Sequence, residues 1–232
     1  MTQTISSKKI QCCSSHRKKL DARVPQNEIA GIYNSLSKIY DTWGKLTESR
    51  ARNRALELAE IKNGQKILEV AVGTGLAFYE IVKRNPDGTN IGIDISAGML
   101  EKAQKRLGQL SGASYELKKA SAFHLQGDDE QFDVLINNYM FDLIPFDQMD
   151  GILAEFKRVL KKGGKLVLVN MTIGERFGSG IYDFMYQISP RLMGGCRGIR
   201  LSEKLKEHGF NVNLREYHQQ CLLPSEVILA HK

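Results

Sequence analysis

Two acidic residues stand on either side of a glycine-rich bend. Glu69 lies at the end of an apolar run, four residues before Gly73, and Asp94 closes the next apolar run. Gly73 and Gly75 let the backbone bend sharply and bring a ligand close to the N–H groups of a following helix. A carboxylate placed like Asp94 can accept hydrogen bonds from both ribose hydroxyls, and Glu69 is placed to face a cationic amino group. The spacing therefore favours a ligand with adenosine at one end and an ammonium or sulfonium at the other.

The same bend matches a dinucleotide site less well. The dinucleotide fingerprint is G-x-G-x-x-G, and Phe78 stands where its third small residue belongs. The carboxylate of Glu69 also suits a pyrophosphate poorly, because both groups are negative. An oxidoreductase that uses NAD(P) stays open as an alternative, although Phe78 and Glu69 both argue against it.

A parallel sheet is needed to position these residues. A β-branched and aliphatic run, a glycine turn and an apolar-periodic segment predict a buried strand, a tight turn and a helix. The first strand is predicted to begin at Lys66. Further strands are predicted at 90–94, Ser114–Lys118, Phe132–Asn138 and Lys165–Asn170. A final antiparallel hairpin is predicted from Phe210–Tyr217 and Glu226–His231, with Pro224 at its bend.

Helices are predicted between the strands and ahead of the first one. They cover 27–41, 48–61, the segments after Gly75 and Ser96, Asp147–Lys161 and Ser202–Gly209. Ser96 and Ser202 are predicted N-caps, because a serine hydroxyl accepts from N–H groups of the first turn. Buried stripes are predicted at Met99, Ala103 and Leu107 and at Met149, Leu153, Phe156 and Leu160. The glycines at 163–164 are predicted to end the longer helix before the fifth strand.

Four ordered motifs resemble those of class I S-adenosylmethionine (SAM) dependent methyltransferases. They are Glu69-x-Ala71-x-Gly73-x-Gly75, Gly92–Leu100, Phe132–Leu135 and Arg158–Lys165. The resemblance covers about residues 28–175 well. It implies SAM as the cofactor and an α/β fold: a doubly wound seven-stranded sheet, mostly parallel with a C-terminal antiparallel hairpin, and an N-terminal helical lid. The expected cofactor-binding residues are Tyr40, Glu69, Val70, Ala71, Gly73, Gly75, Asp94, Ile95, Met99, Ser121, Ala122, Asn137 and Asn138.

Within this superfamily the chain resembles the C-methyltransferases of ubiquinone and menaquinone biosynthesis and the bacterial phospholipid N-methyltransferases. The resemblance implies that Ile95 and Met99 flank the adenine, and Tyr40-Asp41 resembles a Tyr-Asp pair of the quinone enzymes. Ser121 stands where related enzymes carry an aspartate, and Asp142-Leu143 stands where the quinone enzymes carry Arg-Asn. The expected acceptor is a small hydrophobic or lipid-like molecule, methylated on a quinone-ring carbon or on an amine.

Methyl transfer from a sulfonium is an in-line displacement whose leaving group needs no acid. Orientation of the reactants can supply roughly 7 to 11 kcal/mol, which accounts for the lack of an obvious triad or carboxylate pair. A base is needed only where the acceptor must lose a proton. His124, Tyr139, Asp142 and Tyr186 are the candidates, and the sequence does not rank them.

Most of the net charge of +7 lies in residues 1–24, where six cationic residues stand against one aspartate. This segment has no apolar stripe and is expected to be a basic, disordered tail. Residues 25–232 are expected to form one methyltransferase domain, with a helical lid at 25–61 and a substrate cap at 171–200. An RNA-directed methyltransferase that uses the tail is the second alternative.

The remaining sequence features favour a metal-free cytoplasmic protein. The cysteines Cys12, Cys13, Cys196 and Cys221 have no metal-ligand spacing, and no apolar run is long enough for a secretory signal or a membrane span. The neutral body of the chain favours a small-molecule partner over nucleic acid. Peripheral contact with a membrane and oligomerisation stay open.

Overall fold

Alternation of apolar runs with amphipathic segments produces a three-layer α/β structure. A computed structural model describes residues 21–22, 28–29, 31, 48–175, 188, 195–220 and 223–232. The strands are β1 Lys66–Val70, β2 Thr89–Asp94, β3 Glu116–Lys119, β4 Phe132–Asn138, β5 Leu160–Met171, β6 Asn211–Gln220 and β7 Leu223–His231. The helices are α1 Ser49–Ala59, α2 Leu76–Arg84, α3 Ala97–Leu107, α4 Met149–Val159 and α5 Ser202–Glu207, with short 3-10 helices at Phe141–Leu143 and Phe146–Gln148.

The seven strands form one sheet in the order β3-β2-β1-β4-β5-β7-β6. β7 runs antiparallel to β5 and β6, and the other neighbours are parallel, which confirms the fold class expected from the sequence. The order of the strands reverses between β1 and β4. Val70 pairs with Ile93 on one side and with Asn137 on the other, so the carboxyl ends of three strands meet at the position where such sheets bind ligands.

The core lies in two layers, one on each face of the sheet. The buried sides of α1, α2 and α3 cover one face, and α4 and α5 cover the other. Phe78 is fully buried in the first layer, at the position where a dinucleotide site has a small residue. A Cβ on Gly92 of β2 would lie 2.7 Å from a methyl group of Val72 and 3.0 Å from the Phe78 ring, so the glycine leaves room for both side chains.

The boundary between α4 and β5 differs from the sequence prediction. α4 ends at Val159 and β5 already begins at Leu160, which pairs with Phe132. The predicted helix end at the two glycines is therefore wrong. Gly163 has a φ of +71° inside an irregularity of the strand, where its N–H donates to the carbonyl of Lys232.

Two predictions near the C-terminus are also wrong. Ser202 is the first helical residue of α5 rather than its N-cap, and Leu201 precedes it without a side-chain cap. Pro224 does not form the hairpin bend, because it pairs with Gln219 inside the ladder of β6 and β7.

The third strand, β3, begins at Glu116, two residues after the predicted start.

Several predictions lie wholly or mostly outside the described residues. They include the tail at 1–24, the helix at 27–41, the side chains of Tyr40 and Tyr186, Cys12, Cys13 and Cys221, and most of the cap at 171–200. Within the described part of the chain, no helix has both the length and the apolar character to cross a bilayer.

Candidate active site

The bend between β1 and α2 combines three left-handed backbone conformations. Ala71 has a φ of +60°, Gly73 of +57° and Gly75 of +79°. A Cβ on Gly73 would meet no atom of the described residues within 4 Å, so this position is open toward the space above the bend. A Cβ on Gly75 would lie 3.0 Å from the Cβ of Ala103 in α3. The two glycines therefore have different roles, ligand approach at the first and helix packing at the second.

We expect Gly75→Ala to destabilise the fold by about 2 to 4 kcal/mol, because a left-handed conformation and a contact with Ala103 are both penalised. Ala103→Gly in the same chain should recover part of the loss, because it removes the contact with the Cβ of Ala103 and leaves the one with its Cα at 3.1 Å. A double-mutant cycle in urea unfolding measures the coupling. Simple addition of the two single losses would contradict the packing role of Gly75.

Asp94 ties the bend to the end of β2. Its carboxylate accepts hydrogen bonds from the N–H of Gly73 and of Ser96, each at 2.8 Å. Burial raises the pKa of Asp94, while the backbone N–H groups of Ser96, Gly73 and Ile95 act in the opposite direction. The Ser96 hydroxyl accepts from the N–H of Met99, which confirms the predicted N-cap of α3. A carboxylate held in this way presents its remaining lone pairs to a ligand.

Glu69 is buried beside the bend with one oxygen bonded. Its Oε1 accepts from Nδ2 of Asn138 at 3.0 Å, and its Oε2 has no hydrogen-bond partner among the described residues. Burial raises the pKa of Glu69 to about 8, although the Asn138 bond and the charge of Arg52 lower it. This carboxyl group is therefore largely protonated at neutral pH until a cation approaches it.

A cavity of about 390 Å³ opens above the bend, within the usual size range of ligand pockets. Nine of the expected cofactor residues line it: Val70, Ala71, Gly73, Asp94, Ile95, Met99, Ser121, Ala122 and Asn138. A recess of about 40 Å³, the size of one small polar group, adjoins it through Ala71, Gly73, Asn138 and Tyr139. Glu69 lines the recess. The structure thus brings ten of the thirteen residues to one place.

The other predicted residues lie elsewhere. Asn137 points to the opposite face of β4, where its Nδ2 donates to the carbonyl of Val70. Gly75 packs against α3, and Tyr40 is outside the described residues. His124 is exposed and does not line the cavity.

Tyr139 and Asp142 follow β4 and differ as candidate bases. Tyr139 lines the cavity, has a φ of +52° and makes a 3.0 Å hydrogen bond with the hydroxyl of Ser225. Burial raises the pKa of Tyr139 well above its usual value, so it stays neutral at physiological pH. Burial also raises the pKa of Asp142 to about 6, although the thiol of Cys196 and the charge of Arg197 lower it. Of the two, only Asp142 titrates close to neutral pH.

The sequence reasoning missed several residues of the site. Arg52 of α1 lines the recess beside Glu69, and Ile29, Leu143 and Ile144 line the cavity. Arg52 follows the buried Ala51 in an amphipathic helix, where an arginine is an ordinary surface residue. Its role becomes visible only when α1 is packed against the carboxyl end of β1.

The lining has the groups that SAM requires. A ribose needs a carboxylate such as Asp94, and an ammonium group needs a buried acceptor such as Oε2 of Glu69. Oδ1 of Asn138 is a second buried acceptor without a partner among the described residues. Gly73 leaves room for close approach of a ligand to the backbone. The residues present therefore fit this cofactor.

Comparison with known proteins agrees with this fit. Residues 67–164 match the family described as a methyltransferase domain. A demethylmenaquinone methyltransferase of Lactobacillus johnsonii is 25% identical over 217 residues, which cover 82% of this chain and 88% of the relative. The chain carries a SAM-dependent methyltransferase domain. The nicotinamide-dependent alternative is therefore set aside.

Two further comparisons bear on the enzyme. A phosphatidylethanolamine N-methyltransferase of Cereibacter sphaeroides is 33% identical over 134 residues, covering 57% of this chain and 63% of that protein. The crystal structure of a SAM-dependent methyltransferase from Aquifex aeolicus superposes with a TM-score of 0.63 at 18% identity, over 85% of this chain and 97% of the other. The structural match supports the fold, and the sequence matches support the enzyme class.

Proposed function

We propose that the enzyme methylates a small, apolar, lipid-like acceptor in the cavity above the bend. In this proposal Asp94 holds the ribose of SAM, and Ile95, Met99, Ser121 and Ala122 surround the adenine. Glu69 faces the ammonium group of the cofactor, and Arg52 its carboxylate, because these side chains line the recess together. SAM, when bound, supplies an activated methyl group on a sulfonium.

The composition of the cavity wall carries the proposal for the acceptor. Among the described residues that line the cavity, Asp94, Ser96, Ser121, Asn138 and Tyr139 have polar side chains and the others are apolar. Ile29 and Leu143 pack together and extend this apolar wall beyond the bend. Such a wall favours burial of an apolar molecule over a charged one. The names of the two sequence relatives, which refer to a quinone and to a phospholipid, support the same acceptor class.

Asp142 is the proposed proton acceptor. Its side chain is fully buried and does not itself line the cavity, whose wall is formed there by the next residue, Leu143, so the proposed proton transfer would pass through a bridging water. The guanidinium of Arg197 donates to the backbone carbonyls of Asp142 and of Ile144. This arrangement holds the segment after β4 in place. A carboxylate with a pKa of about 6 is ionised at neutral pH and can take a proton from an acceptor hydroxyl or ammonium group.

Isotopically labelled SAM, incubated with the enzyme and a lipid and quinone extract, tests the proposed acceptor class. Mass spectrometry should find the label in an apolar molecule, on a ring carbon or on an amine. Label only in RNA or in water-soluble metabolites would contradict the proposal.

We expect Asp142→Asn to reduce the turnover rate by roughly 10²-fold or more, because the proton acceptor is lost. The wild-type rate should rise with pH through about 6 as Asp142 ionises. The pH–rate profile of the variant should lack this rising limb. Asp147→Asn, an exposed position in the same segment, is the matched control. Persistence of the limb near pH 6 in Asp142→Asn would rule out this role. Affinity for S-adenosylhomocysteine should be unchanged in both variants.

A further inference from the structure

A second groove lies beside α1, α2 and α3 and shares no described lining residue with the cavity. It has a volume of about 960 Å³ and is lined by residues of all three helices and of the turn after α3. Its cations are Arg52, Arg84, Lys102, Lys105 and Arg106, which stand against two glutamates. The described lining of the groove therefore carries an excess of three positive charges. Such a concentration favours an anionic partner.

The two glutamates of the groove are only loosely connected to its cations. Glu57 forms its 2.9 Å ion pair with Arg54, which is outside the groove lining. Glu80 reaches Arg84 at 4.0 Å, and both side chains are about 40% exposed. Exposed pairs at this distance contribute little, so these two glutamates offset little of the positive charge of the described lining.

The groove is continuous with the active site. Arg52 and Leu76 line both the groove and the recess beside Glu69, and the recess adjoins the cavity. A surface that covers the groove would thus lie at the entrance to the recess. Leu76 and Tyr79, which are half-buried, add apolar and aromatic area among the cations. This combination is typical of protein surfaces at the boundary between water and lipid.

We propose that this groove docks the enzyme on an anionic phospholipid surface, an inference that rests on the proposed lipid-like acceptor. Each Lys or Arg near such a surface adds to binding, and the six cations within residues 1–24 offer a second attachment on the same electrostatic principle. Stable association commonly needs two such signals. Docking would bring the entrance of the active site to the bilayer in which an apolar acceptor resides.

A nucleic acid is the other polyanion that the charge would attract. Single-stranded nucleic acid binds to grooves in which several aromatic side chains stack on bases, and Tyr79 is the one aromatic side chain that lines this groove in the described part of the chain. Apolar side chains also predominate in the described lining of the cavity. These observations favour lipid over RNA.

Vesicle co-sedimentation of the full chain tests the docking surface. The wild type should bind vesicles of phosphatidylcholine with phosphatidylglycerol, should not bind phosphatidylcholine alone, and should dissociate at high salt. Lys102→Gln with Lys105→Gln should weaken binding to the anionic vesicles by roughly 25-fold, about fivefold for each cation lost. The matched control is Lys162→Gln with Lys206→Gln, two exposed lysines outside the groove with the same change in net charge. The control should bind like the wild type.

Three results would overturn the docking surface: equal losses in the two double variants, no preference for anionic vesicles, or tighter binding to an RNA oligonucleotide than to the vesicles. Methyl transfer to the detergent-dispersed extract separates this inference from the proposed function, because that assay needs no bilayer. The groove variant should retain wild-type transfer there. Loss of transfer to every apolar acceptor by the wild type would instead contradict the proposed function.

Discussion

Glu69→Gln should make the enzyme more stable above pH 8 while it weakens SAM binding by roughly 10²-fold or more, the loss typical of breaking a buried ion pair. Glu69 is buried, one of its oxygens has no partner among the described residues, and its pKa rises to about 8. A carboxyl group in this position is unfavourable for the fold and favourable for a cationic ligand. Glutamine has the same shape and removes both effects.

The sign of the stability effect follows from proton linkage. Between about pH 4.5 and about pH 8 the folded chain keeps a proton on Glu69 that the unfolded chain has released. The wild type therefore loses stability as the pH rises through this window, by an amount of the order of 5 kcal/mol in total. The substituted glutamine does not titrate, so the variant should match the wild type near pH 4.5 and exceed it increasingly above.

Glu69→Gln should weaken ligand binding although it stabilises the fold. An ammonium group beside Glu69 stabilises the carboxylate, so binding at pH 7 must release the proton that the side chain holds. Calorimetry in buffers of different ionisation enthalpy should detect this release in the wild type, and the variant should lack the part due to Glu69. Urea unfolding at pH 5, 7 and 9 measures the stability. Equal pH dependence of unfolding in the two proteins would show that Glu69 is not the titrating group.

Asp94→Asn is the control for Glu69→Gln, because both oxygens of the Asp94 carboxylate accept hydrogen bonds, whereas one oxygen of Glu69 has no partner among the described residues. The Asp94 carboxylate accepts N–H groups from Gly73 and Ser96, and an amide could not accept from both oxygen positions. We expect the asparagine variant to be less stable than the wild type by about 1 to 3 kcal/mol, because one N–H group loses its acceptor. This loss should shrink as the pH rises, because burial raises the pKa of Asp94 in the folded chain and the wild type alone is affected by that titration. The substitutions at the two acids should therefore change the free energy of unfolding in opposite directions.

The sequence predicted the parts of the site that depend on local chemistry. Gly73, Asp94 and the cap of α3 at Ser96 are each required by a turn, a strand end or a helix start, and such requirements leave a pattern in the chain. Their common position then follows from the parallel sheet, since the carboxyl ends of neighbouring strands meet at one edge. Ten expected residues line the cavity or the recess for this reason.

Residues that act through packing between distant segments could not be predicted in the same way. Phe78 fits because Gly92 on another strand makes room for it, and Gly75 is needed because Ala103 of α3 approaches it. Arg52 reaches the recess only after α1 packs against the sheet. The extended conformation at Leu160 ended α4 early because that residue pairs with Phe132. In each case a tertiary contact overrode the local signal.

Gly73→Asn should weaken binding of S-adenosylhomocysteine by roughly 10²-fold or more while it leaves the fold nearly intact. Asparagine tolerates the left-handed conformation better than other side chains, so the φ of +57° is not a strong obstacle. The added side chain projects into space that no described residue occupies, on the wall of both the cavity and the recess. It would therefore occupy room that the ligand needs beside the bare backbone.

Gly163→Asn separates the loss of ligand space from the effect of the backbone conformation. Gly163 has a φ of +71°, and a Cβ there would also meet no described atom within 4 Å, but it lies in β5 away from the cavity. Both variants should therefore unfold at similar urea concentrations, and only Gly73→Asn should lose affinity in calorimetry. If Gly73→Asn bound the ligand as tightly as Gly163→Asn does, the bend would not be the surface on which the cofactor lies. Since the backbone strain is matched, an altered fold could not account for that outcome.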